Sequence, residues 1–119
     1  MAFRFEGLEI WHLAREYVTA VYATTARFPR SERFALADQL NRAANSVALN
    51  IAEGSGQDTD AQFGRYLGIA MGSVCEVVSG LFLARDRGYI DDATHADLYE
   101  KGDHLIRTIV NFRKTLRHP

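Results

Sequence analysis

The chain has 119 residues, nearly half of them hydrophobic and about a quarter charged, which allows one ordinary core and excludes a disordered chain. A net charge of −1 excludes a generic nucleic-acid binder, and the single cysteine, Cys75, excludes an intrachain disulfide and points to a reducing compartment. The first residues lack the apolar core of a signal peptide, and no apolar run approaches the roughly 18 residues of a membrane span, so a cytoplasmic location without a membrane partner is expected.

Only Pro29, Pro119 and three turn-like clusters interrupt the chain, leaving four segments of helical period. The first helix is expected over 8–27, with Ile10, Ala14, Tyr17, Val21 and Thr24 on its inner stripe and Pro29 ending it. The second is expected over 32–53, with Ser31 as N-cap and Gly54 closing it in a left-handed conformation. Its core stripe is Leu40, Ala43, Val47 and Ile51. The third is expected over 60–87, capped by Asp58, Thr59 or Asp60, with Phe63, Leu67, Ala70, Val74, Val77, Leu81 and Ala84 as a heptad-type seam. The fourth is expected over 91–116, capped by Asp91, with Leu98, Gly102, Leu105, Ile109, Phe112 and Leu116 inside. Short connections make these segments one all-α domain over 1–119, an antiparallel up-and-down four-helix bundle.

Helix 3 carries a second pattern. Gly64, Gly68, Gly72 and Gly80, with Glu76, form a row apart from the seam, and Tyr66, Ile69, Val78 and Phe82 add apolar positions outside it. Interior glycines cost up to about 1 kcal/mol each against alanine, so a close backbone approach should compensate. Two readings stand level: association with another subunit, or close packing of helix 2 within one chain.

Beside the core stripe of helix 2 runs a polar strip of Gln39, Arg42, Ser46, Asn50 and Glu53. An arginine there is tolerable when its guanidinium meets a carboxylate. The expectation is a cross-helix pair between Arg42 and Glu76, completed into a structural polar network by Ser46 and Asn50. This favours a seam over a ligand site or an enzyme's active site.

Other candidate chemistry is weaker. Asp92 with His95, Glu100 with His104, and His12 with Glu16 have helical ligand spacings, but no matching Glu-x-x-His lies on a facing helix, so neither a metal nor another cofactor is expected. Cys75, mid-helix beside Val74, reads as a buried inert thiol. From Asp86 to Asp103 six acids face only Arg87 and Lys101, whereas Arg107, Arg113, Lys114 and Arg117 follow without an acid. This suits the macrodipole of helix 4, and it also makes those four cations the candidate contacts for RNA or single-stranded DNA.

The segments Phe5-Glu-Gly-Leu-Glu-Ile-Trp11, Phe28-Pro29, Gln39-Leu-Asn-Arg-Ala-Ala44 with Ser46, Asn50-Ile-Ala-Glu-Gly54, and Gly72-Ser73 with Glu76 resemble the four-helix-bundle proteins encoded by intervening sequences of 23S ribosomal RNA genes. That family is in turn similar to the accessory proteins of diversity-generating retroelements, which form five-subunit barrels and bind nucleic acid. The resemblance implies a homopentamer without catalytic residues. Ala48 stands where proline is common in the family, Ala35 where glycine is, and Ser55, Gln57 and Met71 replace aromatic or basic residues. The loss of basic positions weakens the implied nucleic-acid binding. The function expected from sequence is therefore a homo-oligomeric, non-enzymatic scaffold or adaptor, with a nucleic-acid-binding accessory protein as the alternative.

Overall fold

The computed structural model describes residues 2–117. Four α-helices carry the fold: α1 (Glu9–Thr25), α2 (Leu36–Ser55), α3 (Asp60–Asp86) and α4 (Asp92–Arg113). Short 3-10 turns at Arg4–Gly7 and Arg30–Glu32 precede α1 and α2, and there is no strand among the described residues. Each helix packs on its sequence neighbour, α2 with α3 most extensively, and α1 closes the bundle against α4. The all-α up-and-down bundle read from the sequence is the observed fold, with extents of 46 × 23 × 22 Å.

The core follows the periodicity closely. Ile10, Ala14, Tyr17, Val21 and Thr24 of α1 are all buried, as is every residue of the α3 seam from Phe63 to Ala84. Burial of Leu40, Ala43, Val47 and Ile51 orients α2. In α4, Leu98, Gly102, Leu105 and Ile109 are buried, Phe112 is half-buried, and Leu116 is buried just beyond the helix end.

Helix ends depart from the expectation at α2. Ser31 lies in the 3-10 turn and does not cap α2. The helix starts at Leu36, four residues after the expected position 32, where the Glu32 carboxylate accepts from the Leu36 N–H at 3.2 Å. At its other end α2 runs through Gly54 to Ser55. Gly54 has no left-handed backbone; a Cβ there would stand 2.6 Å from the Tyr66 Cβ and 2.9 Å from Phe63 Cδ1. Its glycine serves packing against α3, not chain reversal.

The other caps agree better. The Thr59 hydroxyl accepts from the Gln62 N–H at 3.2 Å, and the Asp91 carboxylate from the Thr94 N–H at 2.7 Å. Helix α3 ends in a Schellman motif: Gly88 takes φ +76°, its N–H donates to Arg85, and the Tyr89 N–H donates to Ala84. Tyr89 then packs its ring 5.5 Å from Phe28 and donates its hydroxyl to Glu32 at 2.8 Å, joining the two loops at one end of the bundle.

One exclusion drawn from the sequence needs correcting. Helix α3 is long and apolar enough to cross a membrane by length and composition, with an 18-residue window of mean hydropathy 1.8. Between residues 61 and 84 only Arg65 and Glu76 are charged, and glycine, alanine, serine and cysteine fill positions that a search for unbroken apolar runs passes over. The buried seam accounts for part of this composition, since 44% of the window is buried; the rest is half-buried, as at Met71 and Val78, or exposed, as at Ile69 and Phe82.

Candidate functional surfaces

The expected polar network is present in part. Ser46 Oγ lies 2.8 Å from Ser73 Oγ across the α2–α3 boundary, and Asn50 Nδ2 donates to the Ser46 carbonyl at 2.8 Å and hydroxyl at 2.9 Å. Ser73, at the α2-facing edge of α3, is the member that sequence reasoning missed. Arg42 is not its anchor. Its side chain is 80% exposed, and Nε pairs with Asp38, one turn earlier on α2, at 3.0 Å. Glu76 is exposed on α3, and no Arg42–Glu76 ion pair forms among the described residues. The physical reason is angular. Arg42 points about 160° from Leu40 around the helix, so an exposed intrahelical partner costs far less desolvation than a buried one.

The glycine row also divides. Successive steps of four residues advance about 40° around a helix, so the row spirals across α3 instead of marking one face. At one end Gly64 and Gly68 lie beneath the Arg113 guanidinium of α4, at 3.6 and 3.8 Å from a built Cβ. In the middle Gly72 and Glu76 face outward, with nothing within 4 Å of a Cβ at Gly72. At the far end a Cβ on buried Gly80 would run into Leu40 of α2. Close approach of helix 2 therefore explains Gly80 alone.

The outer boundary of α3 and α4 holds a groove of about 390 Å³, lined among others by Cys75, Val78, Phe82, Tyr99, Gly102 and Ile106. Cys75 is exposed here, contrary to the expected buried thiol, because it sits on the α4 side of α3 away from the seam. Behind Gly102 lies the Tyr17 hydroxyl, buried and without a hydrogen-bond partner among the described residues. Burial holds this phenol well above the usual tyrosine range, with nearby Cys75 a lesser cause. His95 is buried at the end of the groove, its ring 4.4 Å from Phe82 and 6.2 Å from Tyr99, and its Nε2 also lacks a partner. Ile69, Leu83 and Val110 extend the apolar outer surface of the same helices.

The candidate nucleic-acid contacts are unequal. Arg107 bonds both Asp103 (3.0 Å) and Glu100 (3.3 Å). Arg113 is half-buried over the α3 glycines, whereas Lys114 and Arg117 are exposed, the Arg117 N–H donating to Asp60 at 2.9 Å. No group of three or more His, Cys, Asp or Glu side chains suited to a metal occurs among the described residues. His12, one of the histidines with ligand spacing, instead places Nε2 2.7 Å from the Glu6 carbonyl.

The sequence pattern of the 23S rRNA-intervening sequence protein family matches residues 6–111. The chain belongs to that family. The match reaches into all four helices and ends two residues before the end of α4, so three of the four candidate cations, Arg113, Lys114 and Arg117, lie outside what this 23S rRNA-intervening sequence protein shares with the family pattern. No curated protein sequence matches. The fold is similar to the crystal structure of a protein of unknown function from the S23 ribosomal protein family of Bacteroides thetaiotaomicron VPI-5482. The TM-score is 0.79 at 19% identity, covering 89% of this chain and 99% of that one. At that identity the likeness concerns the fold.

Proposed function

We propose that this 23S rRNA-intervening sequence protein is a non-enzymatic scaffold or adaptor built from identical subunits, with the pentamer implied by its family resemblance as the assembly. The observation that carries this reading is the apolar outer surface of α3 and α4. Phe82, Leu83 and Tyr99, with Ile69 and Val110, are each more than a third exposed on helices whose inner faces already fill the core. Phe82 and Tyr99 line the groove between the two helices, and Leu83 opens toward α2 on the other side of α3. Large apolar side chains exposed in this number mark an association surface more often than a finished exterior. The polar strip of α2 offers no comparable site, since Ser46, Asn50 and Ser73 satisfy one another. A cytoplasmic setting suits the exposed, unpaired Cys75.

Light scattering on the purified full chain tests the reading. The expected mass is close to five times 13.4 kDa; a monomer at micromolar concentration overturns it. Binding of RNA or single-stranded DNA is the alternative role, and a ring would favour it by repeating Lys114 and Arg117 around its rim.

A further inference from the structure

The groove between α3 and α4 has a counterpart on the same chain. Phe34, in the connection between α1 and α2, is 85% exposed, more than any other large apolar side chain among the described residues. The Arg33 guanidinium lies 5.3 Å over its ring, and Arg27 and Arg30 belong to the same connection. The only acid there, Glu32, already accepts from Leu36 and Tyr89. The connection is thus an aromatic knob with a positive collar.

We propose that this knob seats in the α3–α4 groove of a second copy of the chain. The walls of Phe82, Tyr99, Val78 and Ile106 offer an aromatic and aliphatic lining. At about 390 Å³ the space lies within the range of ligand-sized pockets, ample for one ring. Charge is complementary as well. Asp103 lines the groove, and from Asp92 to Asp103 α4 carries four acids and one lysine; Asp97 is held by Lys101, and Glu100 and Asp103 share the single Arg107. On the α3 wall the Arg85 guanidinium lies 5.1 Å over the Phe82 ring, next in sequence to Asp86, so the two walls together keep a net negative charge. An incoming Arg30 and Arg33 would meet Asp103 at the groove and Asp92 at the start of α4.

Knob and groove are different surfaces belonging to different helix pairs, so the contact is head-to-tail. Such a contact closes into a ring when the rotation between neighbours divides a full turn. This assignment rests on the oligomer proposed above and names the interface that builds it.

The test uses two full-length variants, Phe34→Ala and Tyr99→Arg, each checked for unchanged helicity and then sized by light scattering. Phe34 is exposed, so its truncation should leave the subunit folded. Each variant alone is expected to fall to monomer, with association weakened at least about tenfold, as for loss of an interface anchor. Mixed in equal amounts they should form a heterodimer and stop, because one retains only the groove and the other only the knob. An assembled wild type with a Phe34→Ala variant of the same mass overturns the knob and leaves the oligomer standing. Monomeric variants that fail to pair on mixing overturn the head-to-tail contact. A monomeric wild type removes the oligomer and the inference together.

Discussion

At the scale of single residues, the clearest coupling is between Glu32 and Tyr89, which ties the α1–α2 connection to the turn between α3 and α4. The hydrogen bond from Tyr89, then the Leu36 N–H, holds the Glu32 carboxyl below its usual value of 4.5, and Thr94 does the same for Asp91 at the start of α4. A carboxyl whose folded-state value is depressed contributes stability that is present above its unfolded value and lost as pH falls through the folded one. Thermal unfolding should therefore hold steady from neutral pH to about 4.5 and decline below it. Glu32→Gln should start lower at neutral pH and decline less steeply. A Glu32→Gln profile parallel to the wild type would show that this carboxylate does not contribute. This pair is not legible in the sequence, because Glu32 and Tyr89 lie 57 positions apart in two irregular turns. Phe34 was hidden for a related reason. Reading α2 from residue 32 placed it inside a helix, whereas Ala35 departs from helical geometry at φ −121°, ψ −108° and leaves the ring outside. The pairing of Arg42 is hidden in the opposite direction, because its place beside the core stripe does not show that Asp38, one turn earlier, meets it before any residue of α3.

At the scale of elements, α3 shows what periodicity can and cannot tell. Its seam from Phe63 to Ala84 was legible residue by residue, since seven apolar positions at heptad spacing leave one orientation that buries them all. The glycines were legible as a departure from helix propensity but not by role, because a spiralling row touches different neighbours along its length. Two substitutions separate those roles. Gly80→Ala forces Leu40, 1% exposed in the core, to move, and should destabilise the fold by about 1–3 kcal/mol in urea unfolding, the usual cost of overpacking. Gly72→Ala meets nothing within 4 Å and should stabilise an isolated subunit by up to about 1 kcal/mol through propensity alone. If Gly72→Ala destabilised the monomeric Phe34→Ala background, the outward placement of Gly72 would be wrong. The polar strip was likewise half legible. Ser46 and Asn50 were found from α2, but their partner Ser73 needed the packing of α2 on α3.

At the scale of the whole molecule, charge decides between a scaffold that assembles only with itself and one that also carries nucleic acid. Four cations stood without an acid at the end of the sequence, yet the fold spends them unevenly. Arg107 is shared between two carboxylates of its own helix, and Arg113 lies along the glycines of α3. Lys114 and Arg117 remain exposed, two per subunit against a net charge of −1. Each phosphate neutralised releases bound counterions, so a protein contacting Z phosphates loses affinity with salt at a slope of about −0.7Z on single strands. Two contacts from one subunit give a shallow slope and weak binding; the same two repeated around a closed ring give a steep one. The scaffold reading expects neither: mixed RNA or single-stranded DNA should not be retained by the assembled protein even at low salt. Retention that falls steeply with salt in the wild type, and is lost both in a Lys114→Ala, Arg117→Ala variant and in the monomeric Phe34→Ala variant, would instead establish the accessory role. It would also show that assembly itself makes the binding surface.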